Sequence, residues 1–351
     1  MIYLDASKGL SGGIGRYIKM LLSHTDIYDY CIGDKKQLSK VYPADKIISP
    51  AAFKQEVIQK LSADDIVHFP GNDMTDLQVE KKLPCKVYLT IHDATPLKVS
   101  VYDKENTRRW RENVKKAVDK ADVILTDSQN SKKDIMEYFH VADEKIEVTY
   151  LAVDSIFEKR QLTAEDKKRM ITEYGILYHE NILLSGGSSL KNKNLFRLLR
   201  GFIRSKSFDR STLLLISSSK KLQMLLRLPV INRHIKMVGR IDDEELVRLY
   251  NYADVFMFVS LYEGFGLPPL EAMKCGTAVI SSNCSCMPEI LGDAAYLINP
   301  YSIREIAGAI DKVLQDKDDM RSKMCEKADK QVLQYDIGAM KKRYEEVFLN
   351  N

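Results

Sequence analysis

Short apolar runs alternate with helix-length segments along almost the whole chain. Nine runs stand out: Ile2–Asp5, Asp65–Phe69, Lys86–Ile91, Asp122–Thr126, Asn181–Ser185, Thr212–Ser217, Ile235–Val238, Val255–Ser260 and Ala278–Ser281. They are apolar throughout rather than alternating apolar with polar. Strands buried on both faces of a parallel sheet read this way. Between them lie helical patterns, including Gly15–Leu22, Asn106–Lys120, Ser131–Phe139, Asn194–Ser205, Asp243–Ala253 and Leu270–Lys274. Strand–helix alternation of this kind predicts βαβ units wound on both faces of a sheet.

Nine strands and 351 residues exceed one tidy sheet and one compact core. The pattern pauses at Tyr150–Phe157, which has no helical period, before a polar helix at Ala164–Tyr174. The expected boundary is therefore near residue 158, giving two Rossmann-like α/β domains, 1–157 and 158–336. Where the strand ends of such sheets converge, a ligand cleft is expected.

Charge narrows the partners. Lys plus Arg is 53 and Asp plus Glu is 49, a net charge of +4. That near balance argues against nucleic-acid binding through bulk charge. No apolar run reaches the roughly 18 residues of a membrane span, and the first residues lack the basic-then-apolar layout of a leader peptide. The six cysteines read as reduced thiols of a cytoplasmic protein. Residues 191–240 carry thirteen basic residues against one acid, Asp209. Most should form a solvated face, with a few turned to an anion. A second basic stretch, Lys104–Lys120, could lie against anionic lipid, although Glu105, Glu112 and Asp119 also balance it.

Two loops carry the candidate chemistry. Leu10–Tyr17 follows the first strand and opens a helix. Its Gly12, Gly13 and Gly15 allow backbone to approach a phosphate, or simply form a tight turn. The spacing is not G-x-G-x-x-G, which argues against a nicotinamide cofactor. Residues 253–276 are more informative. A buried strand runs into Glu263-Gly264-Phe265-Gly266-Leu267, and Pro268 and Pro269 then suit the first turn of a helix. Glu271 lies eight residues beyond Glu263. Carboxylates straddling a helix start can accept hydrogen bonds from the vicinal hydroxyls of two sugars. Backbone N–H groups of Gly264–Leu267 suit an anion between them. Hydroxyls plus a diphosphate describe a nucleotide sugar. The alternative is structural: Glu271 favours the helix start and Glu263 caps the loop.

The segment S-x-x-E-G-F-G-L-P-x-L-E-A-M-x-x-G resembles the signature of family 4 retaining glycosyltransferases of the GT-B fold. Val238–Leu246, Pro288–Ala295 and Gly187–Asn194 resemble the segments around it. Gly12–Tyr17, Ile91–Asp93 and Ala121–Ser128 agree in the first half. The likeness is to bacterial mannosyl- or rhamnosyl-type transferases of surface polysaccharide synthesis. It implies two Rossmann-like domains facing a cleft, with a C-terminal helix (about 337–351) crossing back to the first domain.

By that resemblance, His92 and Glu263 are the catalytic candidates. Glu271 binds ribose, Glu263 binds donor-sugar hydroxyls, and Lys193 binds the diphosphate. The N–H groups of Gly264, Phe265, Gly266 and Leu267 contact sugar and phosphate, while Gly13 and Gly15 reach the phosphates from the first domain. Asn192 and Ser188 stand where relatives often carry Arg; Ser188 stays within the donor set, and Arg240 compensates for the lost charge. Asp93, Thr95 and Asn72 fall on the acceptor side, which is read as a saccharide or lipid-linked oligosaccharide. No D-x-D pair appears outside the polar segment Asp316–Asp318, so no metal or other cofactor is expected. The notable alternatives are a non-catalytic GT-B partner subunit and a nucleotide-sugar epimerase or phosphorylase of the same fold.

Overall fold

The computed structural model describes residues 1–74, 81–178, 180–187, 191–217, 223, 229–316 and 319–349. It divides into two units. The first holds Met1–Lys98, Tyr102–Leu151 and Ile337–Asn351; the second holds Val99–Val101 and Ala152–Asp336.

The first unit is built on a parallel sheet of order β3-β2-β1-β4-β5-β6-β7. Its strands are β1 (Ile2–Asp5), β2 (Tyr30–Ile32), β3 (Ile47–Ile48), β4 (Ile66–Phe69), β5 (Lys86–Thr90), β6 (Val123–Thr126) and β7 (Ile146–Val148). The second unit has the order β10-β9-β8-β11-β12-β13. Here the strands are β8 (Asn181–Gly186), β9 (Ser211–Ile216), β10 (Ile235–Met237), β11 (Val255–Phe258), β12 (Ala278–Ser282) and β13 (Tyr296–Ile298). All nine expected strands are present. The uninterrupted apolar runs are explained by burial: Leu183, Leu213, Val255, Met257 and Ile280 lie in one core between helices.

Each order reverses direction once. In the first sheet the reversal falls between β1 and β4, and in the second between β8 and β11. Since all neighbours are parallel, the loops after these strands leave from one end. A crevice opens there because successive crossovers turn to opposite sides.

The second unit begins at Ala152 rather than at residue 158. Val153 donates to the Tyr335 carbonyl at 2.9 Å, and the Phe157 ring packs edge-on against Tyr250. The extended stretch thus belongs to the core that follows it.

The C-terminal helix Ile337–Leu349 docks on the first unit through polar as well as apolar contacts. Tyr344 Oη lies 2.6 Å from Tyr17 Oη, which lies 3.1 Å from Thr90 Oγ1. Thr90 in turn meets His68 Nε2 at 2.7 Å, and His68 Nδ1 meets Tyr28 Oη at 2.7 Å. The chain of bonds is buried, and burial, then the nearby His92, holds the His68 imidazole down to about 3 and neutral. Outside it, Arg343 reaches the Val148 carbonyl and Glu147. Tyr344→Phe should cost about 1–2 kcal/mol in urea denaturation, by breaking the link to Tyr17; an unchanged midpoint would show that this bond does not hold the helix.

Candidate functional site

The loop after β11 and the short 3₁₀ turn Lys191–Lys193 after β8 emerge side by side at the reversal of the second sheet. Their contact is extensive. Leu261 N–H donates to the Asn192 carbonyl at 2.6 Å. Asn192 Nδ2 donates to the Tyr262 carbonyl at 3.4 Å. Asn194 Nδ2 donates to Val259 and Pro300 carbonyls at 3.0 and 2.7 Å. Lys193 then extends alongside the loop, its Nζ 2.8 Å from Glu263 Oε1 and 5.2 Å from the Phe258 ring centre. Both side chains are mostly buried, at 21% and 14% exposure. The ammonium has three donors, so pairing with Glu263 leaves capacity for an anion.

Past Glu263 the backbone turns at Gly266, whose φ of 101° is a left-handed value that side chains resist. Gly266 caps the helix Leu267–Lys274. Pro268 and Pro269 follow at once, so among the first three helical positions only Leu267 supplies an N–H. Glu271 sits on the next turn, 2% exposed, with Tyr250 Oη donating to its Oε2 at 3.2 Å.

Behind this loop runs Cys284–Met287. The Cys284 thiol lies 3.2 Å from the Leu261 carbonyl. The Ser285 hydroxyl accepts the Glu263 N–H at 3.2 Å. The Cys286 thiol lies 3.2 Å from the Glu263 carbonyl and 3.1 Å from that of Phe265. All six cysteines are free thiols. The contact of Cys284–Met287 with the glycine turn has no signal in composition or spacing.

Other expected residues fall elsewhere. Ser188 lies outside the described residues, as do residues 317–318. Asn192, read as lost charge at a phosphate site, is instead a buried post under the loop, with its Oδ1 unpartnered. Arg240 is exposed beyond β10, at the sheet edge two strands from β8, roughly 10 Å at usual strand spacing. Much of the basic window is solvated surface: Arg200 and Arg204 are exposed, and Arg197 stacks over Tyr301.

In the first unit, His92 follows β5 and is held on every side. Its N–H donates to Asn72 Oδ1 at 3.0 Å. Nδ1 lies 2.9 Å from Asp127 Oδ2 and Nε2 lies 3.3 Å from the Pro70 carbonyl. The Tyr17 ring meets it edge to face at 4.8 Å. A carboxylate and a carbonyl oxygen only accept, so these contacts favour the protonated, charged form of the ring. Burial opposes that charge, but the Asp127 carboxylate beside it outweighs burial and raises the His92 pKa above its usual value. His92 so held is a residue whose protonated form its surroundings favour. Asp127, which the sequence reading passed over, stands at the end of neighbouring β6, is 3% exposed, and keeps Oδ1 without a partner.

Asp93 accepts the Thr95 N–H at 2.8 Å, opening the turn Thr95–Lys98; burial raises its pKa. Gly13 is exposed near the start of the helix Gly12–His24. Gly15 is buried, and a side chain there would run into the Leu10 backbone, which is reason enough for a glycine. On the helix Lys104–Val118, Arg108 pairs with Glu105 at 3.0 Å, so the basic stretch is partly balanced on its own face. Among the described residues no helix is long and apolar enough to cross a membrane.

A family model described as glycosyl transferases group 1 matches residues 166–331. This part of the chain is a glycosyl transferases group 1 domain. Lys193, Arg240, Glu263, Glu271 and Cys284–Met287 all belong to the group 1 domain, while His92 and Asp127 lie outside it. The chain is 30% identical over 234 residues to the O-antigen chain mannosyltransferase B of Escherichia coli, covering 65% of this chain and 61% of that protein. It is 29% identical over 245 residues to the serotype-specific mannosyltransferase WbdA of Escherichia coli, covering 67% of this chain and 30% of WbdA. The chain thus spans about three fifths of one relative and under a third of the other. In fold, it matches Anabaena Alr3699/HepE, solved with UDP-glucose, at a TM-score of 0.79 and 15% identity, over 100% of this chain and 99% of that one. Two parallel sheets of this kind, carrying a group 1 domain, are the GT-B fold.

The Asp127–His92 pair yields a pH prediction. A histidine whose folded pKa is raised contributes stability that is fully present below its unfolded pKa, about 6.5. That contribution is lost as pH rises through the folded pKa. Asp127→Asn should therefore lower the His92 pKa in an NMR titration and flatten the stability decline above about pH 6.5. An unmoved His92 titration would refute the pairing.

Proposed function

We propose that the chain is a retaining glycosyltransferase. It moves a hexosyl unit, with mannose favoured, from a nucleoside-diphosphate sugar to a saccharide acceptor in surface polysaccharide synthesis. GDP-mannose is the preferred donor and a lipid-linked oligosaccharide the preferred acceptor. The observation that carries this reading is the convergence of Lys193 and Glu263 at 2.8 Å beside the Gly266 turn, with Glu271 on the helix behind. One cation, two carboxylates and a glycine loop supply what a diphosphate flanked by two sugars requires. The group 1 domain match and the names of the mannosyltransferase relatives support the same reading.

In this assignment Glu271, its rotamer held by Tyr250, accepts from the ribose hydroxyls. Glu263 accepts from hydroxyls of the transferred sugar. Lys193 shares its ammonium between Glu263 and the diphosphate, and the N–H groups of Gly266 and Leu267 add fixed dipoles. As the anomeric carbon–phosphate oxygen bond breaks, negative charge grows on the leaving diphosphate, and these preplaced donors stabilise it. The acceptor oxygen bonds to the anomeric carbon on the face the phosphate leaves, so configuration is retained, and the departing phosphate oxygen takes the acceptor proton. No protein base is needed. We assign the acceptor to the first unit, around Asn72, His92, Asp93 and Thr95. No metal is assigned a role.

Incubation of the chain with GDP-, UDP-, dTDP- and ADP-sugars should release nucleoside diphosphate slowly from one donor class and raise the melting temperature with it. Neither effect with any donor would overturn the reading. Lys193→Ala should lower kcat about 100-fold, and Glu271→Ala should weaken donor binding about tenfold or more. Undiminished donor affinity in the Glu271 variant would remove that residue from the site. Excess EDTA should leave the rate unchanged; loss of activity restored by a divalent cation would contradict metal-independent departure.

A further inference from the structure

The segment Cys284–Met287 touches the glycine loop at four successive residues, and the pattern of those contacts is directional. The Cys286 thiol faces two carbonyl oxygens, those of Glu263 and Phe265, at 3.2 and 3.1 Å. Its neighbour Ser285 accepts the Glu263 N–H at 3.2 Å. Cys284 reaches the Leu261 carbonyl at 3.2 Å. Met287 packs so closely on Gly266 that any side chain at 266 would collide with its terminal methyl.

In a trans peptide the C=O of one residue and the N–H of the next point in opposite directions, and the chain has no cis peptide. A Glu263 carbonyl turned toward Cys286 therefore turns the Gly264 N–H away from it. A Phe265 carbonyl turned toward Cys286 likewise turns the Gly266 N–H away. One thiol thus sets the direction of two backbone donors. This matters because the helix that follows is poor in donors. Pro268 and Pro269 remove two of its first three N–H groups, leaving the loop amides and Leu267 as the backbone hydrogen-bond donors.

Cys286 is fully buried and has no route to a ligand of its own. Ser285 holds a left-handed φ of 52°, a conformation that a serine tolerates at some cost. That strained turn is what lets three consecutive side chains reach one loop. The single bonds are weak, yet they act together on the peptides that lead into the Gly266 turn.

We propose that Cys286, with Ser285, is a positioning residue for the donor site: it aims the Gly264 and Gly266 amides and anchors the backbone of Glu263 toward the nucleotide sugar. This rests on the proposed function, and the test separates the two. In a steady-state assay with the donor that the wild type uses, Cys286→Ala should raise the donor KM about fivefold with the acceptor KM unchanged. Cys286→Ser keeps a hydroxyl donor at the same place and should stay within about twofold of wild type. Ser285→Ala, at a partly exposed residue, should raise the donor KM in the same way, and it carries the test where Cys286→Ala does not fold. An unchanged donor KM in both alanine variants would overturn the proposal. So would a serine variant as impaired as the alanine one, since only side-chain volume would then matter. A wild type that neither binds nor turns over any nucleotide sugar would instead overturn the proposed function.

Discussion

The reversal of strand order between β8 and β11 is the constraint on which the candidate donor site depends. Because β9 and β10 extend the sheet one way and β12 and β13 the other, the loops after β8 and β11 have no crossover lying over them. The Lys191–Asn194 turn and the Leu261–Leu267 loop fill that place and bind each other. The Leu261 N–H and the Asn192 side-chain amide tie them directly, and the Asn194 amide adds bonds to Val259 at the strand end and to Pro300. Only after that scaffold is set do Lys193 and Glu263 meet. The first sheet repeats the device at β1 and β4: the glycine-rich helix start follows β1, and Asn72 follows β4 to hold the His92 backbone.

Both charged groups at these places are neutralised from within the chain. Lys193 is paired with Glu263 and His92 with Asp127. A buried charge without a partner is costly, so a site that must later meet a charged ligand keeps its charges matched until then. Lys193 does so with donors to spare. His92 does so beside Asp127, whose carboxylate favours the protonated ring.

Much of this was legible in the sequence, and the reasons are physical. Eight of the nine expected strands lie inside their sheets, where burial on both faces leaves few polar positions, and β10 is the one at an edge. The four missed strands, β2, β3, β7 and β13, are two or three residues long, and three of them lie at sheet edges where burial is incomplete. The Glu263–Glu271 spacing was readable because the helix start fixes it. Arg240 follows β10, so in the sheet β9 lies between it and β8, a separation that the motif does not record. Gly15 reads as a phosphate glycine in the sequence, and the structure adds a packing reason for it, since a side chain would meet the Leu10 backbone. Asn192 looked like a missing charge and proved to be a buried support. Asp127 and Cys286 escaped notice because each acts across the sheet, Asp127 on a residue 35 positions away and Cys286 on loop residues 23 and 21 positions back, and no local pattern records such a contact.

The central claim is that a nucleotide sugar binds at the reversal point of the second sheet, on the loop that Lys193 and Glu263 share. Amide hydrogen exchange, with and without saturating GDP-mannose or whichever nucleotide sugar stabilises the chain, tests it directly. Slowed exchange concentrated in residues 191–194 and 261–267 is the predicted result. Unchanged exchange in both segments, with protection appearing elsewhere, would contradict it.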